Sequence, residues 1–432
     1  MADPVDRKRI AAWCLYDWAN SAFTTLVVTF VYSTYFSQAL APDVINGTIL
    51  WSRAVGTSAL LVALLSPVLG HIADCAGRRC RALAVATISC VAATALLALV
   101  SPAQAGAIPL ALGLFILANT AYELGYVFYN AFLPDLAPRG RIGAISGYGW
   151  GAGYLGGIAC LLLALAVLVR EDPLWGIATE AGFNIRATNL LVAVWFLLFS
   201  LPLLGLCRDR PDPSFRFSGA AFAATLRHTW RDLADYPELR RFLLAHLVYN
   251  DGLVTIFAFG GIYAAGTFGM SMHEVLVFGV ALNVVAGIGS FLFGHLDDSL
   301  GGRRAILLSL VGLILAVVMA AVAGSRAWFW LAGLAIGLFV GPNQSASRSL
   351  LGRFAPSGQQ AEFYGFFSLS GKLTSFAGPL LLGAVTGFTG SQRVGVATLL
   401  LFFIVGGLLL WGVDETQGMA RATRQNGAGA GG

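Results

Sequence analysis

Charged residues are scarce in this chain of 432 residues. They make up 11% of it, whereas hydrophobic residues make up 57% and the mean hydropathy is +0.75. A soluble domain usually carries about 25% charged residues. A soluble protein of this length would need polar surfaces around two or three domains, and this composition does not supply them. The scarcity of charge therefore excludes a soluble enzyme, and the high apolar content excludes disorder.

Lysine is almost missing, since Lys8 and Lys372 are its only examples and arginine supplies the rest of the positive charge. The formal net charge is +5, but the basic residues lie in short segments between apolar runs, which argues against a nucleic-acid partner. The six cysteines form no CxxC pair, and we interpret them as reduced thiols. The sequence contains no nucleotide-binding G-x4-G-K-[ST] motif and no metal-ligand spacing. We therefore expect neither a cofactor nor a metal, and no enzymatic activity.

Long apolar runs dominate the remaining sequence. A helix needs about 20 apolar residues to cross a hydrocarbon core of about 30 Å, and backbone in lipid must pair its polar groups internally. The sequence therefore predicts an all-α polytopic membrane protein with twelve spans, near residues 13–39, 50–72, 82–101, 107–134, 143–169, 187–206, 242–268, 273–296, 305–324, 327–351, 362–388 and 393–412.

The distribution of basic residues predicts the orientation. If the N-terminus is inside, 20 Lys and Arg residues lie in cytosolic segments and four on the opposite face. The positive-inside rule then predicts a multi-pass protein of the plasma membrane with both termini in the cytosol. The predicted domains are an N-terminal six-helix bundle (1–206), a cytosolic linker with an amphipathic helix (207–241), a C-terminal six-helix bundle (242–412) and a disordered cytosolic tail (413–432).

An internal repeat supports two equivalent bundles. Residues 70–79 read GHIADCAGRR and residues 294–304 read GHLDDSLGGRR, and each follows an even-numbered span. Glycines 147 and 153 of span 5 have counterparts at 365 and 371 in span 11. Because the second copy starts on the same side as the first, the repeats are parallel in the membrane, which is a known transporter architecture. The glycines at 149, 153 and 157 predict a close-packing face between the halves.

The two repeat copies resemble the loop motif of the major facilitator superfamily. The resemblance implies a conformational gate formed by Gly70, Asp74, Gly77, Arg78 and Arg79, and by Gly294, Asp298, Arg303 and Arg304. Three further segments, YDWANSAF (16–23), YND (249–251) and GPNQSASRS (341–349), are similar to the vacuole-effluxer-like branch of that superfamily. Fungal members of this branch are associated with release of amino acids from the vacuole. The resemblance also implies that spans 1, 4, 7 and 10 surround a central cavity.

Polar side chains recur on these same spans. An ionisable group inside a bilayer is costly, by about 2.5–3.5 kcal/mol on insertion scales, and is retained where it faces a partner or a water-filled cavity. Helical spacing places polar residues on one face of each span. The candidate substrate or proton sites are Asp17, Asn20, Glu123, Tyr126, Asn130, Asp251, Asn343, Gln344, Arg348 and Lys372.

Several roles stay open for these residues. Asp17 serves either transport or a structural pair, and Glu123 binds substrate, a proton or a base. Arg348 either binds a substrate carboxylate or closes a gate with Asp17 or Asp251. Lys372 either pairs across the halves or contacts the substrate.

These features predict a monomeric secondary transporter of a small polar solute. An amino acid suits the mixture of acids and bases, and the carboxyls suggest coupling to protons. One alternative is an exporter of hydrophobic cations, which Tyr126, Tyr129, Tyr148 and Trp150 favour and the two intramembrane bases disfavour. Another is a receptor or sensor on a transporter fold. The expected partners are the small-molecule substrate, protons and the lipid bilayer.

Overall fold

The computed structural model describes residues 6–138, 140–170, 173–212 and 235–429. Most of the amphipathic helix predicted within 207–241 falls outside these residues. Within the described ranges all regular secondary structure is helical, and no strand occurs. The prediction of an all-α membrane protein is confirmed.

Twelve spans follow one another along the chain. The first bundle contains span 1 (Arg7–Ala22, continued by Phe23–Phe30, Tyr32–Tyr35 and Phe36–Leu40), span 2 (Val44–Cys75), span 3 (Arg79–Leu97), span 4 (Ala107–Asn130), span 5 (Ile142–Val167) and span 6 (Phe183–Leu206). The second contains span 7 (Pro237–Phe268), span 8 (Met272–Leu300), span 9 (Gly302–Val322), span 10 (Arg326–Phe354), span 11 (Gln360–Leu373 and Ala377–Thr389) and span 12 (Gln392–Ala397 and Leu399–Trp411). Short helical turns lie between spans at Leu133–Leu136, Leu174–Gly176 and Glu180–Gly182.

Nine helices of the described part are long and apolar enough to cross a membrane by themselves. The three other spans depart from a regular apolar helix. Span 1 contains two π-helical stretches, Phe23–Phe30 and Phe36–Leu40, and span 11 is interrupted between Leu373 and Ala377. Span 10 carries arginine at both ends and a buried polar stretch. These three irregular spans all contribute to the centre of the molecule, whereas exposed apolar side chains such as Val322 and Leu408 cover its outside and face lipid.

The chain continues beyond span 12 as a helix, Glu415–Gly429. The prediction of a disordered tail at 413–432 is wrong over these residues. The carboxylate of Asp414 accepts a hydrogen bond from the backbone N–H of Gln417 at 3.0 Å, which is an N-cap contact. Glu415 accepts from the backbone N–H groups of Gly302 and Arg303 at 3.0 Å each. The tail is therefore capped by Asp414 and attached to the start of span 9 by Glu415.

The glycines of span 5 lie on two sides of the helix. A Cβ on Gly153 would lie 2.8 Å from Ser21 of span 1, and Gly149 packs against Trp13 of the same span. The opposite face, with Gly147 and Gly151, packs against the backbone of span 8 in the other bundle. The predicted stripe at 149, 153 and 157 therefore serves packing within the first bundle, and its neighbours serve the contact between bundles.

Candidate functional site

The two bundles touch at one end and separate toward the other. Spans 5 and 8 pack closely from Gly143 to Tyr154, and spans 2 and 11 pack where Gly70 and Ser66 meet Ala361 and Gly365. We call this end, which also carries helix Glu415–Gly429, the closed end. Beyond these contacts the helices diverge around a cavity of about 550 Å³, which side chains of both bundles line.

Nine of the ten predicted site residues line this cavity. They are Asp17, Asn20, Glu123, Tyr126, Asn130, Asn343, Gln344, Arg348 and Lys372. The helical periodicity of the polar positions thus gave the correct faces of spans 1, 4 and 10.

Arg348 and Asp17 form an ion pair at the inner end of the cavity. Nη1 of Arg348 lies 2.9 Å from Oδ2 of Asp17, and the two side chains are 1% and 4% exposed. The guanidinium also donates to the hydroxyl and the carbonyl of Ser146 at 2.9 and 2.6 Å. It lies 4.7 Å from the ring centroid of Trp13. Because a buried charge needs both a counter-charge and full hydrogen bonding, this setting is built to hold an arginine.

Glu123 and Lys372 form a second ion pair, also between the bundles. Nζ of Lys372 lies 2.6 Å from Oε1 of Glu123. These side chains are 30% and 18% exposed, so both reach the space of the cavity. A ligand entering the cavity therefore meets one acid and one base, each from a different bundle.

Asp251, the tenth candidate, does not line the cavity. Its side chain is 2% exposed and accepts a hydrogen bond from Thr374 at 3.2 Å, at the interruption of span 11. The cavity-facing residue of this motif is its neighbour Asn250, which donates to the carbonyl of Gly371 at 2.9 Å. Successive residues lie about 100° apart around a helix. Asn250 and Asp251 therefore point in different directions, and Asn250 is the one on the cavity side.

The first repeat loop holds the other bundle through a carboxylate. Asp74 accepts a hydrogen bond from the backbone N–H of Glu362 at 2.9 Å, in the first turn of span 11. It also pairs with Arg79, which reaches Asp135 at 3.0 Å. A carboxylate is favourable at a helix N-terminus because it accepts from free N–H groups and faces the positive end of the dipole.

The second loop repeats this contact. Asp298 accepts from the backbone N–H groups of Gly143 and Ala144 at 2.7 and 2.9 Å, in the first turn of span 5. Each repeat loop therefore caps a helix of the opposite bundle. We call these two contacts the seals of the closed end. They support the expectation of a gate at Asp74 and Asp298.

The basic residues of the two loops differ from the expectation. In the second copy Arg353, from the last turn of span 10, approaches Asp297 at 2.7 Å and Asp298 at 3.5 Å. Arg303 instead donates to the carbonyl of Trp411 at 2.6 Å, and Arg304 is exposed. Arg78 is exposed as well, so Arg79 is the one arginine of the motifs that lies in a seal.

The motif glycines have two uses. Gly77 has φ of 61°, the left-handed region that the turn after span 2 requires. Gly70 and Gly294 lie where the bundles meet, and a Cβ on Gly294 would come within 2.8 Å of the carbonyl oxygen of Gly143.

Tyr154 was not among the predicted site residues. Its hydroxyl donates to Oε1 of Gln344 at 2.6 Å, across the bundles and beside the cavity. Its signal in the sequence is weak, because a single tyrosine in an apolar span more often packs against lipid or core.

Comparison with solved structures shows the fold. The chain is similar to the proton:xylose symporter XylE of the major facilitator superfamily, with a TM-score of 0.76 at 14% identity over 95% of this chain and 96% of that one. It is also similar to the human organic anion transporter MFSD10, with a TM-score of 0.74 at 15% identity over 94% of this chain and 100% of that one.

Two relatives show different coverage. An uncharacterized MFS-type transporter, YxiO of Bacillus subtilis (strain 168), is 27% identical over 97% of this chain and 98% of that protein. Autophagy-related protein 22-1 of Penicillium rubens is 25% identical over 63% of this chain and 49% of that protein. The chain thus spans about half of the length of this fungal relative.

The family model described as vacuole effluxer Atg22 like matches residues 45–423, which is most of the chain and includes both seals. Together with the twelve spans, the cavity and the paired charges between two bundles, this match identifies the chain as a membrane transporter of the major facilitator type that belongs to the Atg22-like vacuole effluxer family.

Proposed function

We propose that this protein is a secondary active transporter that moves a small zwitterionic solute, such as an amino acid, by alternating access. The observation that carries this proposal is the Glu123–Lys372 ion pair, which is partly exposed to the cavity and bridges the two bundles. The relatives include a fungal autophagy-related protein 22-1, and the family is that of vacuole effluxers.

The pair suits a molecule that carries both charges. The carboxylate of a zwitterion would bind Lys372, and its ammonium would bind Glu123. Neither residue is then left unpaired when the Glu123–Lys372 ion pair separates. A ligand with a single charge would free one residue and leave the other without a partner in a partly dehydrated site, which costs free energy. The site therefore favours zwitterions over simple cations or anions.

The closed end supports the alternating-access part of the proposal. The buried Arg348–Asp17 pair and the two seals connect the bundles on one side of the cavity, whereas no ion pair among the described residues joins them on the other side. We place the protein in the plasma membrane with the closed end in the cytosol, as the distribution of basic residues predicts. The described conformation is then outward-facing, and release to the cytosol requires these contacts to separate.

We propose that Asp251 carries the coupled proton. Asp17 and Glu123 each have a basic partner, whereas Asp251 forms no ion pair among the residues that the structure describes. A buried carboxyl without a counter-charge is more stable when it holds a proton. Release of that proton would place a negative charge beside Thr374, at the interruption of span 11. Thr374 lies two residues after Lys372 in the chain.

Uptake into proteoliposomes tests the substrate class. The purified protein is offered labelled amino acids, sugars and hydrophobic cations, and we expect flux of at least one amino acid. Lys372→Gln and Glu123→Gln should each reduce this flux about tenfold or more, because each variant loses one charge-assisted contact with the substrate. Arg304→Gln, at an exposed arginine of the closed end, is the matched control and should transport normally. Flux of sugars alone, or ligand binding without any flux, would contradict the proposal.

A pH gradient tests the coupling. Wild-type protein should accumulate the substrate when the gradient is applied, and Asp251→Asn should lose accumulation while it retains exchange of labelled for unlabelled substrate. Accumulation that is unaffected by the gradient in the wild type would show that protons are not coupled.

A second candidate function is export of hydrophobic cations. It is favoured by the aromatic rings along the cavity, which include Tyr122, Trp150, Phe257 and Phe367. In the uptake experiment it predicts flux of the cations, and faster rather than slower flux in Lys372→Gln, because removal of the base removes repulsion of the cation.

A further inference from the structure

Three side chains form a relay at the closed end, away from the cavity. Sγ of Cys75 lies 3.3 Å from Nε2 of His71, and Nδ1 of the same imidazole lies 2.8 Å from Oε2 of Glu362. Cys75 and His71 are four residues apart at the end of span 2, which puts them on one face of the helix. Glu362 belongs to the first turn of span 11, so the relay connects the two bundles.

The exposure of the three groups changes along the relay. Cys75 is exposed, whereas Glu362 is 0% exposed. Cys80, Cys90 and Cys160 are buried. Cys75 is therefore the cysteine at which a reagent from solution has open access.

The buried end of the relay requires a positive charge. Oε1 of Glu362 is buried and has no hydrogen-bond partner among the described residues, so His71 is the cation available to this carboxylate. The neighbouring acid Asp74 is already satisfied by Arg79 and by the backbone N–H of Glu362. Because an unpaired buried carboxylate is costly, the site favours His71 as an imidazolium ion. Reactive cysteines are typically found beside a positively charged side chain, and Sγ of Cys75 has this neighbour at 3.3 Å.

This order of groups matches the arrangement that activates a sulfur nucleophile, in which a base next to the thiol is oriented by a carboxylate. We propose that Cys75 is a modification site that reacts with low-molecular-weight disulfides, and that its modification weakens the contact between the bundles at His71 and Glu362.

The exchange is balanced without a further reactant. The Cys75 thiolate attacks one sulfur of the disulfide, a new S–S bond forms, and the S–S bond of the reagent breaks. The released thiolate takes the proton of the His71 imidazolium and leaves as a thiol. One thiol is consumed and one is produced, with no net oxidation.

The products explain the effect on the seal. After the exchange His71 regains its proton from solution, because the buried Glu362 carboxylate still requires a cation. The group added to Sγ of Cys75, which lies 3.3 Å from Nε2 of His71, now crowds the imidazole and weakens its contact with Glu362 between the bundles. The seal at Asp74 adjoins this site, because Asp74 binds the backbone N–H of Glu362. The seal at Asp298 lies on spans 5 and 8 and does not involve the relay.

The reactivity of Cys75 is measured on the full chain in detergent with bis(2-hydroxyethyl) disulfide. Samples are quenched with acid, and modification is read for each cysteine-containing peptide by mass spectrometry. Near pH 6 we expect Cys75 to react about tenfold faster in the wild type than in His71→Gln, and Glu362→Gln to lie between them. The partly buried Cys14 is the internal control, since its rate should be the same in all three proteins. Equal rates at Cys75, with the same pH dependence in wild type and His71→Gln, would overturn the proposal.

Hydrogen exchange separates reactivity from its effect on the seal. Modification should speed exchange of the backbone amides at the start of span 11 about tenfold and leave the amides of Gly143 and Ala144 unchanged. Cys75→Ser treated with the same reagent should show neither change. If the start of span 11 exchanges at the same rate after Cys75 is fully modified, the proposed weakening is wrong.

Discussion

The two ion pairs that bridge the bundles differ in burial and in the number of their partners. Arg348 is 1% exposed and donates to Asp17, Ser146, Tyr126 and Asn130, with the ring of Trp13 beside it. Lys372 is 30% exposed, and Glu123 is the group to which its ammonium donates. A buried charge with many hydrogen-bond partners stabilises the contact between the bundles. A charge with one partner and access to the cavity can exchange that partner for a ligand. The difference supports our proposal that the first pair closes one end of the cavity and the second pair binds the substrate.

Breaking the buried pair should have the largest effect on stability. Arg348→Gln leaves the Asp17 carboxylate buried without its counter-charge, which typically costs about 3–5 kcal/mol. We expect a clear fall in the thermal unfolding midpoint of the purified protein, followed by intrinsic fluorescence. The comparison fails if Lys372→Gln lowers the midpoint as much as Arg348→Gln does.

Crowding the buried pair should have the next largest effect. A Cβ on Gly149 would lie 2.6 Å from Trp13, 2.8 Å from the Arg348 guanidinium and 2.9 Å from the Asp17 carboxylate. Gly149→Ala should therefore destabilise the protein by about 1–3 kcal/mol, as overpacking usually does. Gly371→Ala, beside Lys372, is the matched control, because its Cβ would meet no atom closer than 3.3 Å. Equal midpoints for the two variants would contradict this expectation.

Exchanging the two charges should distinguish the pairs further. The double variant Glu123→Lys with Lys372→Glu should recover about 1 kcal/mol relative to the sum of the single variants, because the ion pair can form in either direction. The double variant Asp17→Arg with Arg348→Asp should show no recovery, since Ser146 and Trp13 are placed for a guanidinium that comes from span 10. Thermal midpoints of the complete double-mutant cycles measure both recoveries, and recovery at Asp17 and Arg348 would be the contrary result.

Removing the exposed base should have the smallest effect on stability. Lys372→Gln should change the free energy of unfolding by less than about 1 kcal/mol, because partly exposed pairs contribute little. Its flux, however, should fall as stated for the uptake experiment. If Lys372→Gln unfolds at a clearly lower temperature and still transports at the normal rate, the roles proposed for the two pairs are reversed.

Much of the fold and of the cavity could be predicted from the sequence. Hydrocarbon thickness sets the length of an apolar run, so nine of the twelve spans follow from the length and composition of their helices. Helical periodicity placed Asn20, Tyr126 and Asn343 on the correct faces, because these positions repeat on one side of their spans. In span 7 the cavity is lined by Asn250 and not by Asp251, and periodicity alone does not separate these two neighbouring polar residues, which lie about 100° apart.

The remaining differences arise from contacts that are distant in sequence. The resemblance implied that Arg303 and Arg304 belong to the gate, whereas the arginine that approaches Asp298 is Arg353 of span 10. The order of the tail depends on Glu415 meeting the start of span 9, and no local pattern encodes that meeting. Tertiary contacts of this kind become visible only when the bundles are assembled.

The interruption of span 11 divides that helix into two segments that contact different parts of the molecule. The segment Gln360–Leu373 is clamped at the closed end, whereas Ala377–Thr389 lies beyond the gap and has only 13 residues. The outer segment packs instead against spans 7 and 12, where Gly378 meets Thr255 and Gly395 meets Thr386. We expect the interruption to let it change its angle while the inner segment stays in place. Lys372 lies in the last turn before this interruption. In the transport cycle that we propose, a solute bound to its ammonium would therefore act on the outer segment first, before the seals of the closed end separate.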